Sequence, residues 1–521
     1  MIVKDIQLSV GIFSMGLCSF INAQTVERKP NILLVVADDA SWRHFSAYGC
    51  QWVSTPAFDR VAKEGILFQN AYTCNSKSSP SRACMITGRN SWQLEEAGNH
   101  FSYFPAKFKT YPEVLRESGY WVGTTGKGWA PGDPGTLNGK KRELTGKTFN
   151  KYTVKPLTKG ISNIDYVRNF EDFLQNRPDN YPFCFWFGSF EPHRDYEFAS
   201  SLKYGSNKLS KIDKVPAFWP DVDSVRTDML DYAFEIEYFD AQLQRMIEIL
   251  EKSGELENTI IVVTSDNGMP FPRVKGQAYE YSNHMPLAIM WGKGIENPGR
   301  TENAFVSLND LSPTFLEVAG VDGEKNGMQA IVGKNLTDIF QDKKNGKKDR
   351  SYVLIGKERH DVGRPHDQGY PIRGIIKGNY LYVKNYEPLR WPSGNPETGY
   401  LNVDGGATKS YILNMPRQNT KDTYYWNLNF GKRVNEELYD IKRDPECMNN
   451  KANDFLFLFI KKSLARQLHK ELLRQDDPRE KGNGETFDNY PYAGAEINFY
   501  ERFMRGEKIP TSWVNDTDYE K

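Results

Sequence analysis

Asn31-Ile32-Leu33-Leu34-Val35-Val36-Ala37, followed at once by Asp38-Asp39, decides how this chain folds. The run is apolar and rich in branched residues after its first position, the pattern of a strand covered on both faces. The two aspartates then stand at its carboxyl end. Thr259 to Val263, TIIVV, repeats the pattern and again runs into polar residues, Ser265, Asp266 and Asn267. Phe183 to Phe187 is a further apolar run, and Trp121 to Thr124 reads as a short strand. Helices fall between these runs. Thr55 as cap and Pro56 in the first turn open one that continues to Gly65, Thr110 with Glu113 forms a capping box before one ending near Gly119, and Val225 to Lys252 is long, amphipathic and closed by Gly254. Such alternation predicts an α/β fold, a mostly parallel mixed sheet flanked by helices. Ligands of these sheets sit beyond the carboxyl ends of the strands, where the acidic pairs fall.

After about Gly320 the pattern changes. Ser351 to Gly356 and Ile372 to Tyr386 read as a meander and Ala452 to Gln475 as a closing helix. A chain of 521 residues exceeds what one core usually supports. We therefore expect a catalytic α/β domain over 24–350 and a smaller C-terminal α+β subdomain over 351–521. Residues 1–23 read as a signal peptide: Lys4, a mostly apolar stretch from Val10 to Ile21, then the small Ala23. The stretch is short for a bilayer span, and Leu17 before Cys18 is not the small residue that a lipid-anchored cysteine wants. Export to the periplasm is the expectation. Past the signal, Cys50, Cys74, Cys84, Cys184 and Cys447 remain, an odd number, so a full disulfide framework is not expected. Lys plus Arg and Asp plus Glu are 67 each, which leaves no global basic excess for nucleic acid; any anion site is local.

The chemistry gathers around Ser78-Ser79-Pro80-Ser81-Arg82-Ala83-Cys84-Met85-Ile86-Thr87-Gly88. Pro80 just inside a helix start would aim free backbone N–H groups at whatever Ser78 holds, with Arg82 in support. On residue chemistry alone this is equally a plain helix cap. Asp38, Asp39, Asp266 and Asn267 together offer only hard oxygen ligands, which suit calcium or magnesium; singly, each could be a solvated turn former.

The Ser78 string resembles the signature of the formylglycine-dependent sulfatases, relatives of alkaline phosphatase: Cys or Ser, any residue, Pro-Ser-Arg, four more residues, Thr-Gly. The resemblance implies that Ser78 is oxidised to formylglycine (3-oxoalanine) by a serine-type maturation enzyme. Its aldehyde hydrate attacks sulfur, and the second hydroxyl then expels the sulfate; a plain serine would be left as a stubborn sulfate ester. It also implies Ca2+ on Asp38, Asp39, Asp266 and Asn267. Arg82, Lys127 and Lys275 match the family's cations, and His193 matches the histidine at the leaving oxygen. Without the resemblance the lysines read as surface charges and His193 as structural. One departure stands out: Trp129 occupies the position, two after Lys127, where the family usually carries a histidine that helps activate the hydrate. His100 and His284 are candidates for that task by elimination and are counted among the expected substrate-binding residues, or are ordinary histidines.

Phe271-Pro272 and Pro192-His193-Arg194 look more like the heparan N-sulfatase (sulfamidase) branch, which acts on N-sulfated glucosamine. The expected substrate is a sulfated glycan of heparan or mucin type, carrying O- or N-sulfate. Arg194, Arg359, His360, Arg364, His366 and Arg373 are read as cationic contacts to it, with Tyr370 and Trp391 as stacking platforms; the same loop reads otherwise as a solvated connector. Two rival functions are a phosphatase or phosphodiesterase of the same superfamily, which favours histidine-rich metal sites, and an inactive glycan-binding homologue.

Overall fold

A computed structural model describes residues 28–205, 208–343, 350–417 and 420–520, so the expected signal peptide lies outside the described residues. Asn31–Ala37 is a fully buried strand near the middle of an eight-stranded sheet. Across the sheet the order is Arg300–Ser307, Ile66–Tyr72, Leu287–Met290, Thr259–Ser265, Asn31–Ala37, Phe183–Gly188, Trp121–Gly126 and Lys147–Thr148. Leu287–Met290 runs antiparallel to both its neighbours, and the remaining pairings are parallel. The two strands read as buried from their composition are direct partners, in a register that sets Ala37 opposite Ser265.

Side-chain alternation divides the core in two. Leu33, Val35, Ile261 and Val263 face one side, where the 30-residue helix Asp223–Lys252 lays down Ile236, Phe239, Leu243 and Ile247. Ile32, Leu34, Ile260 and Val262 face the other, against Ala83, Met85 and Ile86 of helix Ser78–Thr87. Thr110 and Glu113 form the expected capping box at helix Tyr111–Glu117. The helix expected from Thr55 is present as Pro56–Lys63, but Thr55 does not cap it. Its hydroxyl instead meets Ser46, and the Asp240 carboxylate accepts the Ala57 and Phe58 N–H groups at 2.9 and 2.8 Å. A side chain 183 residues away performs the capping.

The C-terminal part builds a four-stranded antiparallel sheet in the order Tyr352–Lys357, Ile372–Lys377, Tyr380–Asn385, Glu436–Asp440. One face packs against Tyr72 and Tyr279 of the larger sheet's layer, and the other is covered by Leu464, Leu468 and Leu472 of helix Leu458–Arg474. Among the described residues no helix is long and apolar enough to cross a membrane. Cys74, Cys84, Cys184 and Cys447 are buried and Cys50 half-buried, all as free thiols.

Candidate active site

The site lies at the carboxyl ends of the paired strands. Asp38 and Asp266 each stand one residue past the Ala37–Ser265 pair. Asp39 adopts φ 75°, a left-handed turn that Asp tolerates better than most residues, and its N–H donates to Asp266 Oδ1 at 3.1 Å. Consecutive strand residues normally point to opposite faces; the turn lets both aspartates converge. Asp38, Asp39 and Asp266 are wholly buried and offer carboxylate oxygens within 4.8 Å of one another.

Helix Ser78–Thr87 brings the nucleophile candidate to this cluster. Ser78 Oγ donates to Asp38 Oδ1 at 3.2 Å, and Lys127 Nζ donates to Ser78 Oγ at 3.2 Å. One turn on, the Arg82 guanidinium is fully buried: Nε donates to Asp266 Oδ2 at 2.7 Å, Nη2 to Asp38 Oδ1 at 3.2 Å, and Nη1 to the Lys127 and Gly128 carbonyls at 2.6 and 2.9 Å. Lys127 leaves its strand at Gly126, where φ is +73° and an added Cβ would sit 2.0 Å from the Gly188 carbonyl oxygen. Only glycine permits that approach. The Lys127 ammonium then reaches both Asp38 oxygens at 2.9 and 2.6 Å. Burial alone would raise the Asp38 pKa, but Lys127 and Arg82 outweigh it and hold the carboxyl at about 2.

On the far side, Lys275 Nζ donates to Asp39 Oδ2 at 2.6 Å, to Asp404, and to His193 Nε2 at 3.0 Å. Burial disfavours its charge, yet the Asp39 and Asp404 carboxylates raise its pKa well above the ordinary lysine value. His193 keeps its Nδ1 on the Arg194 carbonyl at 2.6 Å, with the ring partly exposed to a cavity of about 500 Å³. Lys127, Lys275, His193, Asp404, Lys77, His100 and Asp361 line that cavity, with Phe101, Phe190 and Trp513 at its apolar side.

The donors fit a hard cation. Three buried carboxylates converge, and the Asn267 amide sits among them with Oδ1 buried and without a hydrogen bond, while Nδ2 meets Asp39 and Asp266 at 2.8 and 2.6 Å. A half-turn of that amide presents an oxygen to the same point. Asp38, Asp39, Asp266 and Asp404 face Arg82, Lys127 and Lys275, so the group keeps a residual negative charge that a divalent cation would reverse in favour of an anionic substrate.

Several expected substrate contacts lie elsewhere. Arg359 Nη1 and Nη2 are taken by the Tyr490 and Pro491 carbonyls at 2.6 and 3.0 Å, and Arg364 by those of Trp391 and Pro392 at 2.7 and 2.9 Å. His360 is buried against Asn75 at 2.7 Å, and Arg373 against Asp477 and Glu358. Tyr370 is buried, Trp391 packs on Trp426, and His366 is exposed beside Glu501; none of these lines the cavity. The supposed cationic loop is a set of struts, because buried guanidinium groups must spend their donors on whatever carbonyls surround them. His284 is stacked between Trp42 and Tyr72 and bonded to Glu280 at 2.7 Å, away from the cavity. Arg194 borders the cavity but is held by a two-pronged pair with Asp228 at 2.7 and 2.8 Å. Of these candidates His100 remains: Nδ1 meets Asp361 Oδ1 at 3.0 Å and the ring borders the cavity. Trp129 donates to the Ser79 carbonyl at 3.0 Å and packs edge-on to Phe104, bracing the helix start.

Sequence reasoning missed Lys77, Asp361, Asp404, Phe101, Phe190 and Trp513. Lys77 could have been found, since it precedes Ser78; it is buried and pairs with Asp361 at 2.7 Å. Asp404 and Trp513 come from irregular segments with no periodicity to mark them.

Comparison with known proteins agrees with this geometry. A family model described as Sulfatase matches residues 30–321, more than half of the chain. The chain is 26% identical to an N-acetylglucosamine-6-O-sulfatase of Bacteroides thetaiotaomicron, over 91% of this chain and 92% of that one. It is 26% identical to the human N-sulphoglucosamine sulphohydrolase over 89% and 92%. A structure solved with its substrate D-glucosamine-2-N,6-O-disulfate shares the fold with TM-score 0.57 at 21% identity, covering 86% of this chain and 99% of that one. The chain belongs to the sulfatase family, hydrolases of sulfuric esters or sulfamates.

Proposed function

We propose that this sulfatase removes sulfate from sulfated glucosamine of glycosaminoglycan type, with Ser78 converted to formylglycine and Ca2+ held by Asp38, Asp39, Asp266 and Asn267. The observation that carries this reading is the single buried knot in which Ser78 Oγ meets both Asp38 and Lys127, 3.2 Å from each, beside an oxygen-only ligand set. When present, the aldehyde hydrate supplies the nucleophile and the cation polarises the sulfate oxygens. The chain's own residues do the rest. Arg82 fixes Asp38 and Asp266 against each other, Lys127 places positive charge at the reacting atom, and Lys275 and His193 face the departing oxygen or nitrogen. His100 donates Nδ1–H to Asp361, which leaves Nε2 free to accept a hydroxyl or N–H of the sugar.

A two-metal phosphatase site is disfavoured by Lys275. Asp39, His193 and Asp404 could otherwise gather a second ion, but the ammonium is bonded to all three. Trp129 does not favour an inactive homologue, since Ser78 keeps both its partners beside it.

The test is peptide mass spectrometry of the Ser78 segment from protein co-expressed with a serine-type maturation enzyme, followed by a sulfate-release screen on N- and O-sulfated glucosamines. A loss of about two mass units at Ser78, as expected for alcohol oxidised to aldehyde, with release from one sugar, is the expected result. Unmodified Ser78 with no release under any maturation condition would overturn it. We also propose export with cleavage after Ala23, on the pattern of residues 1–23; a mature N-terminus other than Gln24 would refute that cleavage site.

A further inference from the structure

Helix Leu458–Arg474 buries Leu464, Leu468 and Leu472 on the four-stranded sheet. At about 100° per residue, its opposite stripe carries Phe459, Lys462, Arg466, Lys470 and Leu473. Phe459 is 86% exposed, and in the turn that leads into the helix Phe455 is 80% and Leu456 69% exposed. Three large apolar side chains thus project into solvent side by side, which a soluble surface seldom tolerates without a partner. Lys462, Arg466 and Lys470 are exposed, and none of them enters an ion pair among the described residues. The neighbouring acids are engaged: Glu436 by Lys461 at 3.1 Å, Glu471 by Arg474 at 2.7 Å, Glu480 by Lys384 at 2.7 Å, and Asp454 near Lys451 at 3.9 Å.

We propose that Phe455, Leu456 and Phe459, with the row Lys462, Arg466 and Lys470, form a peripheral docking surface for a bilayer that bears anionic lipids. The apolar tips enter the boundary between headgroups and acyl chains while the cations lie along the phosphate layer. The helix lies on the surface and does not span it. Charge chooses this occupant over a second copy of the chain: a two-fold contact through the same stripe would set one row of cations against another. Apolarity chooses it over a sulfated polysaccharide, which would engage the cations and leave both phenyl rings in water.

The full chain is sedimented with phosphatidylcholine vesicles, with and without phosphatidylglycerol, alongside two variants: Phe455→Ser with Phe459→Ser, and Lys462→Ala with Arg466→Ala and Lys470→Ala. All the altered side chains are exposed, and thermal melts establish that each variant is folded. The expected result is binding of the unaltered chain to the anionic vesicles only, weakened by salt and reduced at least tenfold in both variants. Three results would each overturn the proposal: no binding to either vesicle, undiminished binding by the phenylalanine variant, or a dimer in sedimentation velocity that the phenylalanine variant abolishes. Retention on heparin that needs the three cations, without vesicle binding, would assign the stripe to a polyanion instead.

Discussion

Lys275 Nζ lies 3.0 Å from His193 Nε2 and 2.6 Å from Asp39 Oδ2, so one buried ammonium joins the imidazole at the cavity to the carboxylate cluster beneath it. His193 Nδ1 faces the Arg194 carbonyl, which can only accept. Nδ1 therefore carries a hydrogen, and Nε2 receives one from Lys275. Under the proposed function, this pair is the source of the proton that the leaving group takes up. Lys275→Ala should lower kcat at least ~100-fold and, by leaving Asp39 and Asp404 unpaired in the interior, cost about 3 kcal/mol of stability. Steady-state kinetics and a denaturant titration check both; an unchanged kcat would remove the pair from the reaction.

Removal of the cation should be visible without any substrate. If a divalent ion fills the Asp38, Asp39 and Asp266 cluster, chelator lowers the melting temperature and calcium restores it; saturation at a hundredfold excess over the dissociation constant corresponds to about 2.7 kcal/mol. Asp266→Ala should abolish the calcium response and also destabilise the apo chain by about 3 kcal/mol, because Arg82 loses its 2.7 Å partner. A calcium-insensitive melt in the unaltered chain would refute the site.

His100 gives a prediction in pH. Burial disfavours its charge more than Asp361 favours it, so its pKa lies below the ordinary value and the neutral ring persists to lower pH than a free histidine would allow. Under the proposed function, Nε2 accepts from substrate until the pH falls through that depressed pKa, below 6.5. The unfolded chain takes up the proton first, so the associated stability is present above pH 6.5 and declines as pH falls below it. KM should rise on the acid side in the unaltered enzyme. In His100→Gln, whose amide oxygen accepts at every pH, that rise should vanish. An acid limb identical in both would remove His100 from substrate recognition.

Arg359 offers a contrasting outcome. Its two contacts are the Tyr490 and Pro491 carbonyls, so Arg359→Lys should cost about 1–3 kcal/mol of stability by leaving a buried carbonyl unpaired. KM should be unchanged. A higher KM at unchanged melting temperature would return this residue to the sugar site.

The centre of the site was legible because two devices write themselves into local sequence. Branched apolar runs such as Asn31–Ala37 and Thr259–Ser265 mark buried strands, and whatever follows them stands at the sheet's functional edge. The Ser78 to Gly88 string is long enough to be specific. The rim was not legible. Arg359, Arg364 and Arg373 look alike in sequence whether they meet a sulfate or a neighbouring carbonyl, and only the packing of residues near 391, 477 and 490 against them decides. Thr55 failed as a cap for the same reason, since Asp240 had already taken the donors. Asp404 and Trp513 reach the cavity from segments without periodic structure, where no local rule applies.

The side-by-side register of Ala37 and Ser265 has an evolutionary corollary. Asp38 and Asp266 owe their proximity to a ladder, not to the more than two hundred residues that separate them. Loops between them that carry neither a strand of this sheet nor Ser78, Arg82, Lys127 or His193 can therefore lengthen or shorten without parting the two carboxylates. A single-residue insertion or deletion inside either strand, by contrast, would swing one carboxylate to the opposite face of the sheet, and the hydrolase would be lost while the fold survived.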